Sequence, residues 1–316
     1  MLFSAIIAFF VPFELFLFVY AVLGPLHYLT EINWLKQKNF FLPNKNDYLI
    51  LLIPTILLVL FRPIKFNYYL FLLFFTFIGS FGLVLIKNNI GRLTFLIAVL
   101  LIGILISNYN FYWFKLIFTV FLPSVVHVFI FTALFIVLGA LKLKSKTAIL
   151  SLILFIVCAI FLLTFNNILF KSHLTNYIIS SYAPFRGLNN KLISLFSYFH
   201  FYEIKDNWYT LNNIHPKEYK IFHSAIGLKI MSFIAFAYTY HYLNWFSKTS
   251  LIQWHKTSSL KLIAILVVWF LSITVYIYDY NMGLKWLFLL SLVHVILEFP
   301  LNHLSLIEIK KHLINK

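Results

Sequence analysis

Residues 287–303 read LFLLSLVHVILEFPLNH, an apolar run that nevertheless contains His294 and Glu298. Its length and hydrophobicity are typical of a helix that crosses a bilayer. An ionisable group at mid-membrane costs about 2.5–3.5 kcal/mol for Asp or Lys, and such groups usually serve a function. Because the two residues are four apart, a helix places both on one face. The run therefore predicts a membrane helix that carries a buried functional pair.

The whole chain has the composition of a polytopic membrane protein. Of its 316 residues, 62% are hydrophobic and only 11% are charged, which excludes an ordinary soluble domain. The formal net charge of +16 is expected to lie in basic loops beside an anionic bilayer, so lipid rather than nucleic acid is the predicted partner. A single cysteine, Cys158, excludes an internal disulfide bond.

Hydrophobic runs predict an all-α protein with about nine transmembrane helices in one bundle, which is a single domain covering residues 1–316. A polar and aromatic connection at about 166–223 is predicted to lie outside the membrane and to be partly ordered on its surface. The predicted spans are about 2–23, 48–61, 68–86, 93–107, 111–141, 148–165, 226–246, 260–278 and 284–305.

Loop charge predicts the orientation of this bundle. Lysine and arginine residues concentrate in alternate loops, which the positive-inside rule assigns to the cytoplasm. The N-terminus is then outside and the C-terminus cytoplasmic, as expected of a bacterial inner-membrane protein. The residues that carry this bias are Lys36, Lys38, Lys45, Lys87, Arg92, Lys142, Lys144, Lys146, Lys248, Lys256, Lys310, Lys311 and Lys316.

Histidines inside the apolar spans are the candidate metal ligands. In the predicted topology several of them share one depth, slightly to the cytoplasmic side of mid-membrane. Neutral imidazoles bind iron, zinc or copper, and carboxylates orient them or complete the coordination shell. The alternative is that each is an isolated polar residue bonded to a neighbouring helix. The candidate ligands are His27, His127, His241 and His294, and the orienting or substitute ligands are Glu31, Glu298, Asn244 and His303.

His27 fits this common depth less well than the others. If the first helix begins at residue 2, His27 lies at the membrane edge. It reaches the depth of the other histidines only if the helix starts near Pro12 and continues through Asn33, which the pattern HYLTEINWL permits.

Four short stretches resemble the Brp/Blh-type membrane β-carotene 15,15'-dioxygenases. The Gly24-Pro25-Leu26-His27 run with Glu31 is similar to an early motif of that family, and Tyr240-His241 and Val293-His294 are similar to later ones. His127 would stand for the remaining family histidine. Trp245 replaces the second histidine of a His-x-x-x-His pair, so Glu298 or Glu31 would supply the missing ligand. The resemblance implies bound iron (Fe²⁺) and oxidative cleavage of a carotenoid.

Three functions follow as alternatives. The first is a membrane-embedded non-haem iron oxygenase that acts on a hydrophobic small molecule such as a carotenoid. The second is a transporter or assembly component whose His/Glu pairs handle protons or metal ions. The third is a structural membrane protein without catalysis. Metal content separates the first from the third.

Overall fold

The computed structural model describes residues 1–61, 66–109, 111–165, 174–198, 216–249, 253 and 257–314. Within these ranges the chain forms helices joined by turns and bends, without a strand, so the helical class is as predicted. The helices are α1 (Leu2–Phe10), α2 (Pro12–Gln37), α3 (Tyr48–Phe61), α4 (Phe66–Leu85), α5 (Asn89–Asn108), α6 (Tyr112–Leu143), α7 (Lys146–Thr164), α8 (Asn176–Tyr182), α9 (Arg186–Tyr198), α10 (Pro216–Phe222), α11 (Ala225–Ser247), α12 (Ser259–Tyr278) and α13 (Tyr280–Ile314).

Seven helices of the described chain are long and apolar enough to cross a membrane, which are α2, α4, α5, α6, α7, α12 and α13. The prediction of nine spans is not confirmed. Helix α3 has 14 residues, or about 21 Å, which is shorter than a hydrocarbon core of about 30 Å. Helix α11 is long enough, but tyrosines, His241 and Asn244 lower the hydropathy of its second half.

The first long span lies about ten residues later than predicted. Helix α1 ends at Phe10, and Pro12 begins α2, where a proline at the first helical turn costs no hydrogen bond. A π-helical turn, Val19–Leu23, precedes Pro25, and the helix continues to Gln37. The histidine of this helix, His27, therefore lies inside the span and not at its edge.

The described chain divides into two compact units, and the prediction of a single domain stays a prediction. The first unit comprises Met1–Tyr20 and Lys146–Leu243. Its core is aromatic, since the Phe13 ring lies 5.0 Å from that of Tyr182 and 4.9 Å from that of Phe222. Tyr182 also donates a 2.5 Å hydrogen bond to Asn189 Oδ1, so this buried amide has a protein partner.

The predicted connection, 166–223, belongs to the first unit and is helical where it is described. Its helices are α8, α9 and α10, and Arg186 joins two of them through a 2.7 Å ion pair with Glu218. Much of the aromatic stretch 195–209 lies outside the described residues. The location of this connection on the membrane surface stays a prediction.

The second unit comprises Ala21–Ser145 and Asn244–Lys316. Its last helix, α13, is 35 residues long and packs against the second half of α2 and against α3, α4 and the end of α6. Apolar residues from these helices form its core, including Leu35, Leu51, Leu72, Ile296 and Phe299. This packing places the polar residues of α13 among side chains from the other helices, so they are shielded from lipid as well as from water.

Candidate metal centre

Three helices of the second unit each bring an ionisable pair or a histidine into its interior. Helix α2 contributes His27 and Glu31, and α13 contributes His294 and Glu298, in both cases at i and i+4. His127 comes from a π-helical segment of α6, Ile117–Phe131, which contains Pro123. All five ionisable side chains are buried, with 1–3% of each residue exposed. His127 lies within a π-helical segment and His27 follows a π-helical turn by four residues, and such turns are frequent at functional sites.

Two of the histidines lie against a carboxylate. On α2, His27 Nε2 is 3.1 Å from Glu31 Oε2. Between helices, His127 Nδ1 is 3.2 Å from Glu298 Oε2. A carboxylate beside one nitrogen of an imidazole fixes its tautomer and ring orientation, which is the arrangement that metal-binding histidines usually have.

The third histidine joins these two pairs into one cluster. His127 Nε2 and His294 Nε2 are 3.1 Å apart. The rings of His27 and His294 have centroids 5.3 Å apart, and each offers a ring nitrogen within 4.8 Å of one on the other. The structure therefore forms a continuous row in the order Glu31, His27, His294, His127, Glu298.

The orientation of His127 determines what its other nitrogen can bind. With Nδ1 against the Glu298 carboxylate, the ring proton belongs on Nδ1, and Nε2 carries the lone pair. That lone pair faces His294 Nε2, so the two nitrogens share either a proton or a metal ion. For metal–nitrogen bonds of about 2.1 Å, nitrogens 3.1 Å apart subtend about 95° at the metal. This angle suits two neighbouring ligands of one ion, so the donor set fits a metal.

Aromatic rings enclose this row of side chains. Tyr28 is fully buried and stacks on His294, with ring centroids 4.2 Å apart and an interplanar angle of 22°. The Trp245 ring lies 5.6 Å from His27, and its indole nitrogen donates a 3.0 Å hydrogen bond to Thr30. Trp245 thus forms part of the wall. Sequence reasoning missed Tyr28, although its position next to His27 in an otherwise apolar motif was a signal.

Lys248 is a positively charged residue of the site. The sequence pattern assigned this lysine to a cytoplasmic loop. It follows α11 directly, and its ammonium lies 5.6 Å from the centroid of the Phe135 ring. Burial lowers the pKa of Lys248, and the negative charges of Glu31 and Glu298 oppose that shift. The lysine therefore lies close enough to both carboxylates to offset part of their charge.

The remaining predicted ligands are His303, Asn244 and His241. His303 is nine residues beyond His294, and its Nε2 is 2.9 Å from the Phe77 carbonyl oxygen and 3.0 Å from Ser80 Oγ on α4. Asn244 is half-buried at the start of the second unit's C-terminal segment. His241 is buried in the first unit, and its predicted role as a metal ligand stays a prediction.

Comparisons of the chain with protein-family models, with curated proteins and with solved structures find no match. The chemistry of the centre is therefore inferred from the residues of the second unit alone.

Proposed function

We propose that the second unit holds a non-haem iron centre in a membrane-embedded oxygenase that acts on a hydrophobic small molecule. The observation that carries this proposal is the 3.1 Å separation of the Nε2 atoms of His127 and His294, with Glu298 orienting the first of them. Histidines combined with a carboxylate are a ligand set of iron(II) enzymes that use oxygen. Bound iron would supply the redox chemistry, and carotenoids are the substrate class that the sequence resemblance favours.

Seven side chains of the second unit have distinct roles in this proposal. His27, His127 and His294 would hold the iron, and Glu298 would orient His127 through its Nδ1 proton. Glu31, 3.1 Å from His27, would orient that ring or serve as a further ligand. Tyr28 and Trp245 would exclude water from the centre, since they cover His294 and His27 with aromatic surface. A hydrophobic substrate would approach from the bilayer.

Metal content of the purified protein tests the proposal. We expect about one iron per chain after anaerobic reconstitution, and loss of that iron in His127→Ala and His294→Ala. The matched control is His303→Gln, which changes a buried histidine of the same helix whose ring bonds to α4 instead. The control is expected to keep its iron. Wild-type protein that binds no metal ion under these conditions would contradict the proposal.

Metal or proton handling in transit is the second candidate, and Lys248 favours it. An ammonium that interacts with both buried carboxylates can compensate their charge when no metal ion is bound, as a carrier requires. The exchange rate of the bound ion separates the two candidates. A carrier releases its iron to a competing chelator within seconds, whereas an enzyme cofactor is retained for hours.

A further inference from the structure

Helix α13 continues the polar face of the metal centre towards its C-terminal end. His294, Glu298, Asn302 and Ser305 are spaced by four, four and three residues, so they share one face of the helix. The four residues extend over about 16 Å along the helix axis. Asn302 and Ser305 are each 2% exposed, so this face stays buried beyond the centre itself.

Asn302 and Ser305 are buried polar residues whose side chains lack hydrogen-bond partners among the described residues. Among the described residues, nothing forms a hydrogen bond with Asn302 Oδ1, Asn302 Nδ2 or Ser305 Oγ. Other buried hydroxyl groups of the second unit donate to the preceding helical turn, as Thr55 does to the Leu51 carbonyl oxygen at 2.7 Å. An asparagine amide offers two donors and two acceptor lone pairs. This face of α13 therefore carries three buried polar atoms without a described protein partner, one to two turns beyond Glu298.

We propose that Asn302 and Ser305 form a buried water site that extends from the metal centre along α13. Leaving a buried polar group without a partner is costly, whereas buried water commonly bridges such groups with about three hydrogen bonds. Both side chains are neutral, so they offer water a mixed set of donors and acceptors and offer a cation no charge. Water is therefore the ligand whose chemistry matches the site.

The site leads to the aqueous boundary. Glu308 follows Ser305 by one turn, and it is half-exposed and paired with Lys142 of α6. Polar side chains thus recur at every turn from Glu298 to Glu308, with Asn302 and Ser305 between them. Water bound there would extend the buried polar face of α13 towards this half-exposed ion pair. This inference goes beyond the proposed function and does not require a bound metal, because Asn302 and Ser305 are not ligands.

The structure of the metal-free protein at about 2 Å resolution tests the water site. We expect density for at least one water within about 3 Å of Asn302 Oδ1 or Nδ2. An amide that packs only against apolar atoms would overturn the inference. Metal-free protein makes this outcome independent of the metal proposal.

Thermal unfolding of Asn302→Leu provides a second measurement. Asn189→Leu is the matched control, since Asn189 is a buried amide that bonds to Tyr182 and Met231. If water satisfies Asn302, both substitutions lower Tm by a few degrees, because each removes a bonded amide. If the amide is dry, Asn302→Leu removes an unsatisfied group, and an unchanged or raised Tm overturns the inference.

Discussion

At the scale of single residues, the proposed centre depends on two charged side chains besides its histidines, Glu298 and Lys248. Glu298 Oε2 lies 3.2 Å from His127 Nδ1, and Lys248 offsets part of the charge of the carboxylates. The i, i+4 spacing of His294 and Glu298 was visible in the sequence. That Glu298 orients a histidine of another helix was not, because spacing along one helix does not report a contact between two.

Removal of the Glu298 charge should weaken metal binding without preventing folding. In Glu298→Gln the amide cannot accept the Nδ1 proton as strongly, and such changes typically cost 10- to 100-fold in metal affinity. Competition with a chelator of known affinity measures the effect. Glu308→Gln, which changes a half-exposed carboxylate of the same helix, should leave the affinity unchanged. Equal affinities for both variants would show that Glu298 does not orient a ligand.

Removal of the Lys248 charge should strengthen metal binding. Lys248→Met leaves the carboxylates with more negative charge, and a charge interaction of about 1.4 kcal/mol corresponds to a tenfold change. Because the lysine is only partly buried, we expect a gain on the order of 3- to 10-fold in the same competition assay. Lys142→Met, at the exposed C-terminal end of α6, is the control. A loss of affinity in Lys248→Met would contradict the assigned position of this cation.

At the scale of helices, irregular backbone accounts for what sequence periodicity could not predict. The π-helical turn Val19–Leu23 lets α2 continue through Pro25 and carries His27 into the span. The segment Ile117–Phe131 sets the direction of His127. The predicted spans rest on apolar runs, which do not report the helical period, and a π-helix changes that period at these two sites. The positions of most spans were predicted within a few residues, since long apolar runs report them directly.

Exchange of Val126 and His127 tests the register of the π-helical segment. The exchange keeps composition and hydropathy constant but turns the imidazole to the half-buried neighbouring position. Because His294 Nε2 then loses its partner at 3.1 Å, iron should be lost while the protein still inserts and remains monodisperse in detergent. Retention of iron would mean that the direction of this side chain is irrelevant to the centre.

At the scale of the whole molecule, the number of crossings decides which side of the membrane each loop faces. Within the part of the chain that the structure describes, seven helices qualify by length and composition, and α3 and α11 are the two predicted spans that do not. Both counts are odd, so both place the termini on opposite sides. The two counts assign residues 144–145 to different sides of the membrane. These residues are cytoplasmic if α3 crosses and external if it does not. Hydropathy alone could not resolve this, because 14 residues are at the lower limit for a span.

Cysteine labelling with a membrane-impermeant maleimide resolves the topology. In a Cys158→Ser background, Leu2→Cys should react in intact cells, because the N-terminus is predicted to be external and Leu2 is exposed. Lys144→Cys should react only after the membrane is permeabilised if α3 crosses. Reaction of Lys144→Cys in intact cells would reduce the count of crossings, and failure of Leu2→Cys to react would reverse the orientation.

X-ray absorption at the iron edge tests the central claim most directly, since it reports the ligands of the metal ion itself. The reconstituted wild-type protein should show nitrogen neighbours at about 2.1 Å with the outer-shell scattering of at least two imidazole rings. In His294→Ala this imidazole scattering should disappear or decrease by one ring. A spectrum with oxygen neighbours alone, unchanged in His294→Ala, would contradict a metal centre built on His27, His127 and His294.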